Sequence, residues 1–186
     1  MTALIDCISP RWAPGIGDPD LWGWTVVAAY ALAAVLCLRA GRRQAGRERL
    51  FWACGALLML ALGLNAQLDL QTLLTAAGRC VAKAEGWYRE RAAVQTRFVQ
   101  GVAAIALITA CGALIAMRRQ LGRLWPAILG LVAVLTYVAV RAASFHHVDQ
   151  ILYRPMVAGI AANPVLEIAA ALLIAANAGA RGRPGR

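Results

Sequence analysis

Leu21-Trp-Gly-Trp-Thr-Val-Val-Ala-Ala-Tyr-Ala-Leu-Ala-Ala-Val-Leu-Cys-Leu38 carries no charge and runs straight into Arg39-Ala-Gly-Arg-Arg-Gln-Ala-Gly-Arg-Glu-Arg49. An apolar helix of that length matches the hydrocarbon core of a bilayer, and an arginine cluster at its end marks the cytoplasmic side. Four further apolar runs follow, over residues 50–70, 98–117, 124–143 and 157–178. The fourth is expected to continue as helix into His147. With 61% of residues apolar and a mean hydropathy of +0.62, the sequence predicts an all-α, polytopic membrane helical bundle of five transmembrane helices.

The net charge of +10 would point to nucleic acid in a soluble chain. Here the basic residues stand beside apolar ends and set orientation instead, so no nucleic-acid partner is expected. Arg39, Arg42, Arg43, Arg47 and Arg49 lie after the first run, Arg118, Arg119 and Arg123 after the third, and Arg181, Arg183 and Arg186 after the fifth. Those connections are read as cytoplasmic, which places the N-terminus outside and the C-terminus inside. No cleavable leader is expected.

The second connection, residues 71–97, opposes this pattern with Arg79, Lys83, Arg89, Arg91 and Arg97. Leu73, Leu74, Ala77, Val81 and Ala84 recur there at helical spacing between basic residues, which predicts an amphipathic helix lying along the interface with Trp87 and Tyr88 at headgroup level. Residues 1–20 are dense in turn formers from Ile8 to Asp20 and are expected to fold back over the outer mouth, anchored by Trp12, Trp22 and Trp24. Residues 179–186 form a basic tail against anionic lipid. A Cys7–Cys80 bridge would tie the fold-back to the interfacial helix. Cys37, Cys54 and Cys111 read as small buried hydrophobes within spans.

Polar groups inside spans are costly and mark a site. Counting about 1.5 Å of rise per residue from the cytoplasmic ends puts Asn65 at roughly 22 Å, Arg141 at roughly 25 Å and Glu167 between about 16 and 21 Å. Asp69, Ser144 and His147 lie higher, at roughly 28 to 34 Å. A deep layer of Asn65, Arg141 and Glu167 is thus expected beneath a shallow one of Asp69, Ser144, His146, His147 and Asp149. Arg141 and Glu167 read as a buried ion pair joining the fourth span to the fifth. Asn163-Pro164 is expected in the outer third of the fifth span, freeing a backbone carbonyl.

Several chemistries could use these groups. Zinc or iron could be held by His146, His147, Asp149 and Asp69, with Glu167 as a further carboxylate, and an open position would activate water in a lipid-acting hydrolase or transferase. Without metal, His147 would act as general base, Asp69 or Asp149 would orient it, and Ser144 or water would be the nucleophile. A ligand such as a quinone could be bound by Asn65, Arg141 and Glu167. Haem ligation would need a second axial ligand from another helix. Alternatively the chain is a non-catalytic accessory or assembly subunit, with membrane lipids and another membrane protein as partners. His146, His147 and Asp149 would then be a polar helix end.

The stretches Leu64-Asn-Ala-Gln-Leu-Asp-Leu-Gln71, Glu85-Gly-Trp-Tyr-Arg-Glu-Arg91 and Arg141-Ala-Ala-Ser-Phe-His-His-Val-Asp149 resemble those of an uncharacterised family of small multi-pass bacterial inner-membrane proteins. The resemblance covers most of the chain and implies a bacterial inner membrane, with the N-terminus periplasmic, but no activity. Ser, His and Asp at helix ends are also similar to the alkaline ceramidase-like membrane hydrolases, which use histidines and Asp around zinc. The second spaced His pair of that pattern is missing here.

Overall fold

Asp20 opens the first long helix: its carboxylate accepts from the Gly23 N–H at 2.7 Å, satisfying one of the donors that a helix start leaves free. The structure, a computed structural model, describes residues 2–13, 15–17, 19–143, 155–157 and 160–182. A short helix α1 (Thr2–Ile8) precedes α2 (Leu21–Arg43), which ends with Arg42 and Arg43 in its last turn, where cations favour the helix dipole. A tight turn through Gly46, in the left-handed region at φ +57°, starts α3 (Gly46–Leu68). Next come α4 (Leu70–Ala84), a 3-10 turn (Tyr88–Glu90), α5 (Arg91–Ala116) and α6 (Leu121–Ala143). A small antiparallel pair, β1 (Pro155–Val157) with β2 (Ile160–Ala161), leads into α7 (Ala162–Arg181).

Among the described residues four helices are long and apolar enough to cross a membrane: Leu21–Arg43, Gly46–Leu68, Leu121–Val138 and Pro164–Arg181. The expected third span falls on α5, whose described apolar stretch, Leu107–Ala116, is shorter.

Small residues let these helices approach closely, as they must where lipid removes any hydrophobic drive between them. Antiparallel α2 and α3 meet along a seam where Gly41 faces Trp52, Gly55 faces Cys37 and Gly63 faces Tyr30. A methyl on those glycines would lie 3.3, 3.6 and 3.4 Å from the facing side chain. On its other side α2 packs in parallel against α7, with Gly179 beside Leu36 and Gly182 beside Arg39. Antiparallel α6 then covers α7, and α5 packs on α6. The order around the bundle is α3, α2, α7, α6, α5. Its core is Tyr30, Cys37, Trp52, Met59, Leu124, Val134 and Ile174, all buried.

Three expectations change. The fifth long helix starts at Ala162, not near Val157, because the chain before it pairs as β1 and β2. Pro164 therefore falls in a first turn, where its missing N–H costs nothing and no mid-helix carbonyl is freed. Cys54 and Cys111 are exposed on the bundle surface, and only Cys37 is buried as read.

Candidate functional site

The outer end is built on the α3–α4 junction. Asp69 takes the left-handed conformation, φ 45° and ψ 50°, and its N–H donates to the Asn65 carbonyl at 3.0 Å. Asp tolerates this conformation better than most residues. The backbone thus reverses at Asp69 without glycine, and the residue ends α3 and starts α4.

Against this junction the N-terminal segment folds back as expected. Gly17 N–H donates to the Gln67 carbonyl at 2.7 Å, and the Trp12 indole N–H donates to the Leu68 carbonyl at 2.9 Å. A side chain at position 17 would meet that Gln67 oxygen at 2.9 Å, so the closeness of the strap requires glycine. Cys7 and Cys80 are disulfide-bonded, Cα to Cα 6.1 Å, fastening α1 to α4. The inward side of α4 is Ala76 and Cys80, both buried, whereas Leu74 of the expected apolar stripe is exposed. Close approach to α1 needs small side chains, and Leu74 is left on the exposed side of the helix. Trp12 is half-buried, while Trp22 and Trp24 are exposed, as interface anchors would be.

Below the strap lies a deeper polar layer. The Tyr30 hydroxyl donates to Glu167 Oε1 at 3.3 Å, joining α2 to α7 within the membrane-spanning stretches. Glu167 is half-buried and Tyr30 fully buried. Because Gly63 faces Tyr30, Asn65 stands about 3 Å nearer the strapped end on α3, while the parallel α2–α7 register, with Gly182 beside Arg39, puts the Glu167 backbone about 9 Å beyond that of Tyr30, a gap the Tyr30 side chain bridges. Half a turn beyond Asn65, both polar atoms of the Gln67 amide are buried with no hydrogen-bond partner among the described residues.

Sequence reading did not single out Tyr30 or Gln67. The same count of rise puts Tyr30 about 20 Å above Arg43, at the height assigned to Glu167, and that signal was available. Gln67 lies between two residues that were named, but nothing in its identity says that its amide turns inward.

Asn65, Asp69 and Glu167 are thus placed as a loose outer group, Asn65 and Asp69 half-buried on α3 and its junction, Glu167 on α7. The α6–α7 register, set by Gly130 against Ala170 and Ile174, puts Glu167 level with the stretch from Ala133 to Tyr137. The backbone of Arg141 is then about 6 to 12 Å farther out, rather than level with Glu167. Ser144, His146, His147 and Asp149 and the side chain of Arg141 lie outside the described residues. Among the described residues no three His, Cys, Asp or Glu side chains come together as a metal set.

Fold and site define a helical, multi-pass membrane protein whose N-terminal strap is fastened to the α3–α4 end of the bundle. No protein-family model, curated protein or solved structure matches the chain.

Proposed function

We propose that this is a five-span bacterial inner-membrane protein, N-terminus periplasmic and C-terminus cytoplasmic, that binds a small polar ligand beneath its disulfide-fastened outer strap. The observation that carries the reading is the Gln67 amide, buried with neither its donor nor its acceptor matched among the described residues. Burying such a group without a partner costs about 1–3 kcal/mol, an expense that a bound donor-acceptor ligand removes. Glu167, which accepts from the Tyr30 hydroxyl at 3.3 Å, adds a carboxylate to the same polar region. Asn65, two residues from Gln67 on α3, adds a second amide. Asp69 and the segment of Ser144, His146, His147 and Asp149 would line the mouth, where zinc or iron would turn binding into water activation.

Mass spectrometry of small molecules and metal analysis on the purified protein test the reading. One polar compound or metal ion should be present near one per chain and be lost from Gln67→Leu and Glu167→Gln. Gln67→Leu should leave the thermal midpoint unchanged or raised, since it removes an unmatched amide. His147→Ala separates the metal form, because it should remove zinc or iron but spare a metal-free ligand. An empty protein that co-purifies with a larger membrane complex would return the accessory-subunit reading.

A further inference from the structure

At the opposite, arginine-rich end of the bundle, α3 and α5 barely touch, and an apolar cleft of about 480 Å³ opens between α3, α5 and α6. We infer that this cleft holds one acyl chain of an anionic phospholipid from the arginine-rich leaflet, with the lipid phosphate on Arg47. The inference stands apart from the ligand proposed for the outer end.

The walls explain why a cleft exists. α3 contributes a single stripe from Arg47 through Phe51 to Leu58, and α6 contributes Leu131 and Leu135. The facing side of α5 is Ala110, Gly112, Ala113 and Ala116, too small to fill the space. Arg47 is the one charged side chain of the lining; it is exposed and sits in the first turn of α3. Cys54, Thr109 and Gly112 are exposed along the edge, so the cleft is open sideways to lipid.

Depth decides the occupant. Arg47 to Leu58 spans about 16 Å of helix rise, close to the half-thickness of a hydrocarbon core of about 30 Å. A partner's transmembrane helix would need a groove across both leaflets, whereas a single acyl chain needs one. Apolar walls cannot distinguish one lipid from another, because lipid tails are as apolar as the cleft. Selection must come from the headgroup: the arginine fork holds the phosphate that every phospholipid carries, and the summed positive field of Arg47, Arg42, Arg43 and Arg49 favours a headgroup with net negative charge over the neutral choline one.

Native mass spectrometry of the full chain in detergent, with added phosphatidylglycerol or phosphatidylcholine, reads this directly. One phosphatidylglycerol should be retained per chain with a preference of about fivefold, the weight of one arginine at an anionic surface. Arg47→Gln should lower retention of both lipids and shrink the preference, part of which Arg42, Arg43 and Arg49 would keep. Gly112→Phe should abolish retention, and the space around Gly112 is empty within 4 Å, so the added ring enters the cleft rather than the packed core. In a Cys54→Ser background, a fluorophore on Cys111, exposed next to Gly112 but outside the lining, should be quenched more by chain-brominated phosphatidylglycerol than by the choline lipid, a readout that leaves the cleft free of dye. Equal retention of the two lipids, equal quenching, undiminished binding by Gly112→Phe, or a dimer that Gly112→Phe dissociates would each overturn the inference.

Discussion

A glycine in a membrane helix matters only where another helix comes to meet it, and Gly130 and Gly112 show both cases. A Cβ on Gly130 would sit 2.7 Å from Ile174 Cγ1 and 2.8 Å from the Ala170 carbonyl oxygen. The carbonyl belongs to helix backbone and cannot step aside. Gly130→Ala should therefore push α6 from α7 and cost about 1–3 kcal/mol, the range for overpacking a filled core. Gly112→Ala meets nothing within 4 Å and should be neutral or stabilise by up to about 1 kcal/mol through helix propensity. Thermal unfolding of the two variants side by side in one detergent checks the contrast, and equal midpoints would refute the close α6–α7 seam. Tyr30 makes the complementary point for polar residues. Its ring fills the α2–α3 core while its hydroxyl reaches Glu167 on α7, so one side chain joins three helices.

At the scale of elements, the strap is the part whose attachment can be undone without touching the bundle. It is held by two backbone hydrogen-bond contacts on α3 and by Cys7–Cys80 on α4. A crosslink closing a loop of this kind is worth about 2–4 kcal/mol, mostly by restricting the open form. Cys80→Ser, or reduction of the wild type, should accelerate amide exchange across residues 2–17 while leaving α2 and the α3 core at wild-type protection. Unchanged exchange in the strap would mean that Trp12 and Gly17 hold it unaided. The boundaries of α2 and α3 were legible because arginines and a proline-rich lead-in punctuate an apolar run. The start of α7 was not, since pairing of Pro155–Val157 with Ile160–Ala161 is a long-range choice that apolar composition does not reveal. Asn65, Asp69 and Glu167 stood out in the sequence as polar residues among apolar ones, whereas burial of the Gln67 amide is a tertiary outcome that its identity does not announce.

For the whole molecule, two signals on the chain bear on orientation and one opposes them. Arginines after α2, in the α5–α6 connection and after α7 would keep those ends in the cytoplasm. Cys7–Cys80 belongs in an oxidising compartment and so favours an external strap. Arg79, Lys83, Arg89, Arg91 and Arg97 pull the other way, on the same connection that carries Cys80, and would have to be outweighed by the arginines of the α2–α3 turn. That turn holds Arg42, Arg43, Arg47 and Arg49 within a few residues of two span ends, where the charge rule acts most strongly. Alkaline phosphatase fused after Glu90 should accordingly be active and a fusion after Arg119 inactive, with a green fluorescent fusion giving the reverse pattern. Blocking free thiols before reduction, and labelling them afterwards, should show Cys7 and Cys80 newly exposed by the reductant. An active phosphatase after Arg119 together with both thiols free would invert the molecule, and would move the lipid cleft and the strapped site to the opposite leaflets at one stroke.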